Sequence, residues 1–511
     1  MRPFHSPEEI PGPGFLAAQT SFGCFAKARA EPGGKANREG FSEKAMREAV
    51  DRNSTIRYIE GVSLFCLCVL VVVLPIAHTE SIRSFALGIP AFLLLVKMGI
   101  RRKWLFLRTP LDLPLLLFSI VGGLSILTAV DPRYSLEEFI GEWGLGVFLF
   151  YLSVASFQPR HLKYLLGALL LGNLVMNGYG IWNFFDRGGT FFSYQIRAGS
   201  LHSGFGTFST YLITLMPYLL LSLFFVPSKR TRWGLSLLLF INIGALYLTH
   251  ARGAWVAAAL LIGGVGWMFF SRRTFLAFII GGAAILFFFL SQGTWQHHVD
   301  ITPPGSRGKV AIETGAARWE LLKFTMTQLK ENPFQMIGYG RGSFVKKYRE
   351  FSDQYKGALL WHAHNTFLNV ALQTGIQGLV IFLFLVYKIL AFSYRQGKCA
   401  GTPEVRYFLL ATFSMVIVYF VRNLSDDFFV DDSALLLWLL VGVAVRISPG
   451  EPAAAHHPGF PRKLEEDPTF EVQKREGRFP VRAQENGLPF RKYFHGNRLS
   501  FAKMGGGLIW R

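Results

Sequence analysis

The sequence predicts an all-α, polytopic membrane protein with about twelve transmembrane helices. It also predicts one large, partly helical loop between helices nine and ten. Three observations lead there. Of the 511 residues, 51% are hydrophobic, 49 are phenylalanine and only 17% are charged, whereas soluble domains carry about a quarter of charged residues. The apolar residues gather into stretches close to the roughly 20 needed to cross a hydrocarbon core of about 30 Å. Basic and acidic connections alternate between those stretches, as topology signals do. The net charge of +20 is spread over these connections rather than gathered on one face. That distribution argues against a nucleic-acid partner and for a lipid bilayer.

The expected spans run near 59–77, 84–100, 111–130, 143–157, 164–183, 207–226, 233–249, 253–270, 274–290, 365–391, 407–424 and 433–447. The fourth and twelfth are the shortest. The connections "RRKWLFLR" (101–108), "QPRHLK" (158–163), "PSKRTR" (227–232), "SRR" (271–273) and "YRQGKCAGTPEVR" (394–406) are basic, which places them in the cytoplasm. The alternate connections "DPRYSLEEFIGE" (131–142) and "RNLSDDFFVDD" (422–432) are acidic and are expected outside. Both termini then fall inside. Residues 1–58 form a Gly- and Pro-rich cytoplasmic tail, poorly ordered by composition, and 448–511 a basic cytoplasmic tail. The start, "MRPFHSPEEIPGPG", lacks the early apolar core of a signal peptide, so the first spanning helix is expected to direct insertion. The four cysteines form no disulfide framework: Cys66 and Cys68 lie in an apolar run, and Cys24 and Cys399 fall on the inner side.

One connection breaks the pattern of short loops. Residues 291–364 lie on the outer side and carry ten Lys/Arg against six Asp/Glu. Loops of that length are uncommon unless functional. Within it, "ARWELLKFTMTQLKENP" has Trp319, Leu322, Met326 and Leu329 at helical spacing, with Pro333 as the stop. A net-positive outer loop suits an anionic ligand, although a solvated surface reads the same way.

Several residues in and around this loop have types suited to chemistry. The stretch "WHAHNTFLNVALQTG" (361–375) sets His362, His364 and Asn365 at the doorstep of a long apolar run. Asn365 or Thr366 is an ordinary helix N-cap, and a helix N-terminus favours anions. A histidine there suits general-base chemistry near neutral pH; the plainer alternative is an interfacial histidine with no task. A metal at His362-x-His364 would need further ligands, of which His297 and His298 are available in the same loop. Arg252, in "LTHARGAWVAAALL", is held in a tight outer hairpin, either binding phosphate through its planar fork or snorkelling to headgroups. Arg318 is expected in the first turn of the external helix, where its charge opposes the dipole. Arg197 precedes an outer helix entrance, and Arg341 sits in the glycine-rich turn "GYGRGSF", whose backbone suits a phosphate or a plain loop. Asp426, Asp427, Asp431 and Asp432 read as a solvated acidic loop.

The combination resembles the O-antigen ligase family of bacterial membrane proteins. Relatives of that family include O-antigen polymerases and protein O-oligosaccharyltransferases. The resemblance covers roughly 60–447 and is most specific over 248–380. It is carried by the Arg-Gly hairpin, then "RWELLKFTMTQLKENPFQMIGYGRGSF", then "HAHNTFLNVALQTGIQGL". It implies a multi-pass glycosyltransferase of the inner membrane working at the periplasmic face. The donor would be a glycan on undecaprenyl pyrophosphate and the acceptor lipid A-core or a related polysaccharide, with no nucleotide sugar, cofactor or metal. His364 matches the family's histidine, and Arg252 and Arg318 match its pyrophosphate-binding arginines. Arg197 is a third candidate, with His362, Asn365 and Arg341 behind it. The hairpin reads "THARG", where relatives more often show a serine shortly before the arginine. Two rivals share these features: a polysaccharide polymerase with a lipid-linked acceptor, and a twelve-helix transporter. The absence of an internal repeat and the few mid-helix charges weigh against the transporter.

Overall fold

The computed structural model describes residues 34–102, 108–191, 196–201, 204–269, 299–301, 310–312, 314–351 and 362–449. In chain order the elements are α1 (Gly34–Val73), α2 (Glu80–Arg101), α3 (Asp112–Leu127), α4 (Pro132–Ser156), α5 (Leu162–Asp186), α6 (Phe205–Phe225), α7 (Lys229–Leu248) and α8 (Arg252–Phe269). A three-residue antiparallel ladder follows, β1 (Val299–Ile301) with β2 (Val310–Ile312). Then come α9 (Thr314–Glu331), α10 (Arg341–Phe351), α11 (Thr366–Cys399), α12 (Pro403–Arg422) and α13 (Asp431–Ile447). The protein is a helical membrane bundle, as expected.

Among the described residues, eight helices are long and apolar enough to cross a membrane, rather than the expected twelve. α3, α8 and α13 are shorter apolar helices at expected positions, and the expected span at 274–290 lies outside the described residues. Aromatic side chains on the outer helices, such as Phe85 and Phe92 on α2 and Trp233 and Phe240 on α7, are between 65% and 77% exposed. Facing hydrocarbon they cost nothing; facing water they would form a large apolar patch.

α4 begins earlier than the sequence suggested. Pro132 opens it, Asp131 caps it by accepting from Tyr134 N at 3.0 Å, and a π-helical turn at Phe139–Gly144 runs through it. The acidic segment 132–142, expected as a loop, is therefore helical. Its carboxylates lie beyond the first turn, Glu137 and Glu138 in the second and Glu142 in the π-helical turn.

α13 is the most buried helix. Trp438 packs edge-on to Trp143 and Phe150 of α4, and close approach is bought with glycine. A Cβ on Gly146 would lie 2.5 Å from Trp438 Cδ1, and one on Gly442 2.6 Å from the Phe150 carbonyl oxygen. Gly442→Ala should therefore destabilise the protein by about 1–3 kcal/mol, the usual cost of overpacking. The effect should appear as a lower midpoint in detergent thermal denaturation. Gly264→Ala, on α8 with nothing within 4 Å, should leave that midpoint unchanged or slightly raised.

α2 and α13 run in the same direction through the bundle. Arg83 pairs with Asp432 at their starts, while Lys97 and Arg446 lie near their ends. α1 runs the opposite way, with Glu60 beside Lys97.

α11 is not one continuous rod. Gly375 has φ 74° and ψ 174°, which breaks the helix after its first nine residues. The break frees the Leu372 and Gln373 carbonyls, which accept from Ile337 N (3.1 Å) and Gly338 N (3.3 Å), while Ile376 N donates to Pro333 O at 2.9 Å. The connection 333–343 is thereby stitched to α11. On its other side Val130 N donates to Ile337 O at 3.0 Å and Gly342 N to Tyr134 Oη at 2.9 Å.

Helices α9 and α10 share a small core of Leu321, Phe324, Ile337, Phe344 and Tyr348 with Ala363 and Leu372. Trp319 and Met326 are exposed and Leu321 and Phe324 are buried, because Phe324 meets Phe344 and Tyr348 edge-on. The glycine-rich turn is also a packing device. Gly338 and Gly340 have φ of 99° and 95°, and Cβ atoms there would lie 2.3 Å from Ala129 Cβ and 2.7 Å from Glu138 Cγ. Its glycines face α3 and α4 rather than an open cradle.

Candidate active site

The histidine motif sits where α11 begins, and the local sequence explains why. Asn365 is the N-cap: its Oδ1 accepts from Leu368 N at 3.1 Å, and its Nδ2 donates to Leu424 O at 3.0 Å. Just before it, His364 takes a left-handed backbone with φ 51°. Such a conformation is uncommon for a non-glycine residue and costs on the order of 1 kcal/mol or more. It swings His364 back toward His362, and the two ring centroids are 4.4 Å apart.

Both rings converge on Asp426, in the α12–α13 connection. Asp426 Oδ1 lies 2.8 Å from His362 Nε2 and 3.0 Å from His364 Nδ1, and it also accepts from Asp427 N at 3.0 Å. Arg422 Nη2 is 3.6 Å from Asp426 Oδ2, and Arg422 Nη1 donates to Ser425 Oγ at 2.9 Å. Burial alone would raise the Asp426 pKa. The hydrogen bonds from His362 and His364 and the charges around it outweigh that and hold the carboxyl well below the usual carboxylate range. Asp426 is therefore ionised.

Asp427 ties the same connection to two other elements. It accepts from Thr366 Oγ1 at 2.6 Å and from Asn369 Nδ2, and its carbonyl accepts from Arg341 Nη2. Asn423 Oδ1 accepts from Thr366 Oγ1 at 2.8 Å and from Phe428 N at 2.6 Å. The solvated acidic loop expected from sequence is thus corrected in part. Asp426 and Asp427 are mostly buried and hold the histidine motif and the start of α11.

The other sequence candidates fall as follows. Only Thr249–Ala251 separate α7 from α8, and Arg252 is the exposed first residue of α8. Its neighbour Gly253 packs on the same connection: a Cβ there would lie 2.0 Å from Ser425 Oγ and 3.3 Å from Arg422 Nη1. Arg197 stacks its guanidinium over Phe205, 4.5 Å from the ring centroid. The adjacent Ala198 N donates to Leu248 O at 2.8 Å, beside the hairpin. Gly206 then brings α6 against Phe428 and Arg422. His362, His364, Asn365, Arg341, the Arg252 hairpin and the Arg197 segment therefore meet around residues 422–428. Arg318 is the fifth residue of α9, in its second turn rather than its first, and its side chain lies outside the described residues, as do His297 and His298.

Sequence reasoning missed Arg422. It closes an apolar helix, where a cation is unremarkable because it suits the dipole; its burial to 5% against Asp426 is the tertiary signal.

His362, His364 and Asp426 also have the composition of a metal site, with ligand atoms within 4.8 Å of one another. The geometry favours hydrogen bonding over ligation. Asp426 Oδ1 lies at hydrogen-bonding distance from both rings, 2.8 and 3.0 Å, and from the Asp427 N–H.

Two comparisons with known proteins bear on this arrangement. A Rickettsia bellii protein named "Putative polysaccharide ligase" is 25% identical over 281 residues, spanning 52% of this chain and 64% of the relative's length. Residues 237–383 match the family described as O-Antigen ligase. The hairpin, the α9 stretch and the histidine motif that carry the resemblance all fall within the matched residues 237–383.

Proposed function

We propose that the chain is a metal-independent membrane glycosyltransferase of the O-antigen ligase kind. It transfers a glycan from undecaprenyl pyrophosphate to a hydroxyl of lipid A-core or a related acceptor. It lies in the bacterial inner membrane with both termini cytoplasmic and the site at the periplasmic face. The expected twelve-crossing topology belongs to this reading. The observation that carries it is the hydrogen bond between Asp426 Oδ1 and His364 Nδ1 at 3.0 Å. An ionised Asp426 keeps the proton on Nδ1 and the lone pair on Nε2, so the ring is oriented as a base.

The acceptor hydroxyl oxygen attacks the anomeric carbon and gives its proton to His364 Nε2. The bond from that carbon to the phosphate oxygen breaks, and the pyrophosphate leaves with the electron pair. Cations beside it stabilise the growing charge. Arg252 and Arg318 are assigned to this role, with Arg197 third. Arg422 and Arg341 hold the 422–428 connection in place. The N–H groups at the start of α11 add positive potential beside the base.

Expression in a host deleted for its own ligase tests the reading. Polymer should reappear on lipid A-core with the intact chain. With the Arg252→Ala variant it should instead accumulate on the carrier. Accumulation of single carrier-linked repeat units would identify a polymerase, the second reading. Normal glycan display by the variant would remove Arg252 from the site. Chelation gives a further expected outcome: transfer should be unchanged by EDTA. Activity lost on chelation and restored by a divalent ion would turn the His362–His364–Asp426 cluster into a metal centre.

A further inference from the structure

At the end of the bundle remote from His364, a second cluster of charges is built into the protein, and the proposed reaction does not use it. Glu60 of α1 is 6% exposed and accepts from Lys97 Nζ of α2 at 2.6 Å and from Arg160 Nη2 at 2.8 Å. Arg101 Nη2 lies 3.8 Å away. Arg446, near the end of α13, donates to the Phe157 carbonyl at 3.0 Å, in the connection that carries Arg160. Three cations thus stand within 4 Å of one carboxylate, with Arg446 held next to them. Neutralising Glu60 needs only one of them, and burial of Lys97 to 6% is costly without a balancing charge.

Two further observations point to an added anion. His161 is 6% exposed, and Arg160 Nε donates to its Nε2 at 3.4 Å. The proton of the neutral ring is then on Nδ1, which is buried without an acceptor among the described residues. Beside the cations lies a shallow crevice between α1, α2 and the end of α4, with room for about one water. Glu60, Ser63 and Lys97 form its polar side, and Ile59, Leu93 and Leu94 its apolar side. Lys97 lies fourteen residues after Arg83 on α2, a rise of roughly 21 Å. The cluster is therefore at the opposite membrane face from Asp432 and the histidine site.

We propose that the exposed Arg101 and Arg160, beside this crevice, bind the phosphate of an anionic phospholipid, whose acyl chains lie along the neighbouring apolar helix surface. Basic pockets between spanning helices are suited to such headgroups. The choice of a lipid over free phosphate follows from the crevice's position at a membrane face and its mixed lining. Arg101 and Arg160 are 42% and 60% exposed, so they can meet a headgroup while Lys97 stays with Glu60. This proposal is independent of glycan transfer.

The test uses the full chain in nanodiscs of phosphatidylglycerol mixed with phosphatidylcholine. The protein is then extracted into neutral detergent, and co-purifying lipid is quantified by mass spectrometry. Phosphatidylglycerol should be enriched over its share in the disc. The double variant Arg101→Gln/Arg160→Gln should lower that enrichment roughly tenfold or more. The double variant Arg230→Gln/Arg232→Gln removes two charges from another basic connection and should leave it unchanged. Millimolar inorganic phosphate should not displace the lipid. Enrichment that survives Arg101→Gln/Arg160→Gln, or falls equally in the other pair, would overturn the site. Displacement by inorganic phosphate would overturn the choice of a lipid.

Discussion

His364→Ala should lower glycan transfer by about 10²- to 10⁴-fold, the range expected for loss of a general base, with little change in the amount of protein in the membrane. The fold should tolerate it because Asp426 keeps His362 at 2.8 Å and Arg422 at 3.6 Å. The α11 cap belongs to Asn365 rather than to the ring. Alanine at a left-handed φ of 51° is no more strained than histidine, so backbone strain does not confound the result. The measurement is initial transfer rate per mole of membrane protein. His362→Ala serves as contrast: it removes a ring that helps orient Asp426, and a loss of about ten- to a hundredfold is expected. An equal loss in both variants would mean that the two rings act as one unit, and a full rate in His364→Ala would exclude it as the base.

Asp426→Asn is the second large effect. The side chain keeps its shape but loses its charge, and its amide nitrogen donates where the carboxylate accepted. The His364 ring can then take the other tautomer, with the proton on Nε2, where it cannot accept one from a hydroxyl. A drop of about 10²- to 10⁴-fold in rate is expected, comparable to removing the base. Donor binding should change little, because the pyrophosphate is assigned to arginines. Asp426→Glu, which restores the charge on a longer arm, should recover part of the rate. A purely structural role for Asp426 would instead lower protein yield and donor binding together.

The bundle was legible because its signal is local. Each spanning helix must satisfy its own backbone in lipid, so a run of apolar residues announces it. The cap at Asn365 was legible for the same reason: its hydrogen bond reaches only three residues along the chain. Long-range features were not. Asp426 pairs with rings 62 and 64 residues earlier, and an acidic loop viewed alone resembles any solvated loop. The break at Gly375 depends on Pro333, Ile337 and Gly338, some forty residues away, while glycine within a spanning helix is ordinary. On α9 the residues that stand out in sequence, Trp319 and Met326, are exposed. The aromatic pocket made by Phe344 and Tyr348 chose Phe324 instead. Arg422 was invisible because a terminal cation on a helix asks for no explanation until its partner is seen.

The His364–Asp426 pair is proposed to drive transfer from a pyrophosphate-linked donor. The most direct measurement reconstitutes the purified full chain in proteoliposomes with polyprenyl-pyrophosphate oligosaccharide and lipid A-core, and no nucleotide sugar. Product glycolipid and released polyprenyl pyrophosphate are then counted together. The two should appear in equal amounts with the intact chain, at rates cut by about 10²-fold or more in His364→Ala and Asp426→Asn. Equal rates in all three proteins, or product without pyrophosphate release, would contradict it.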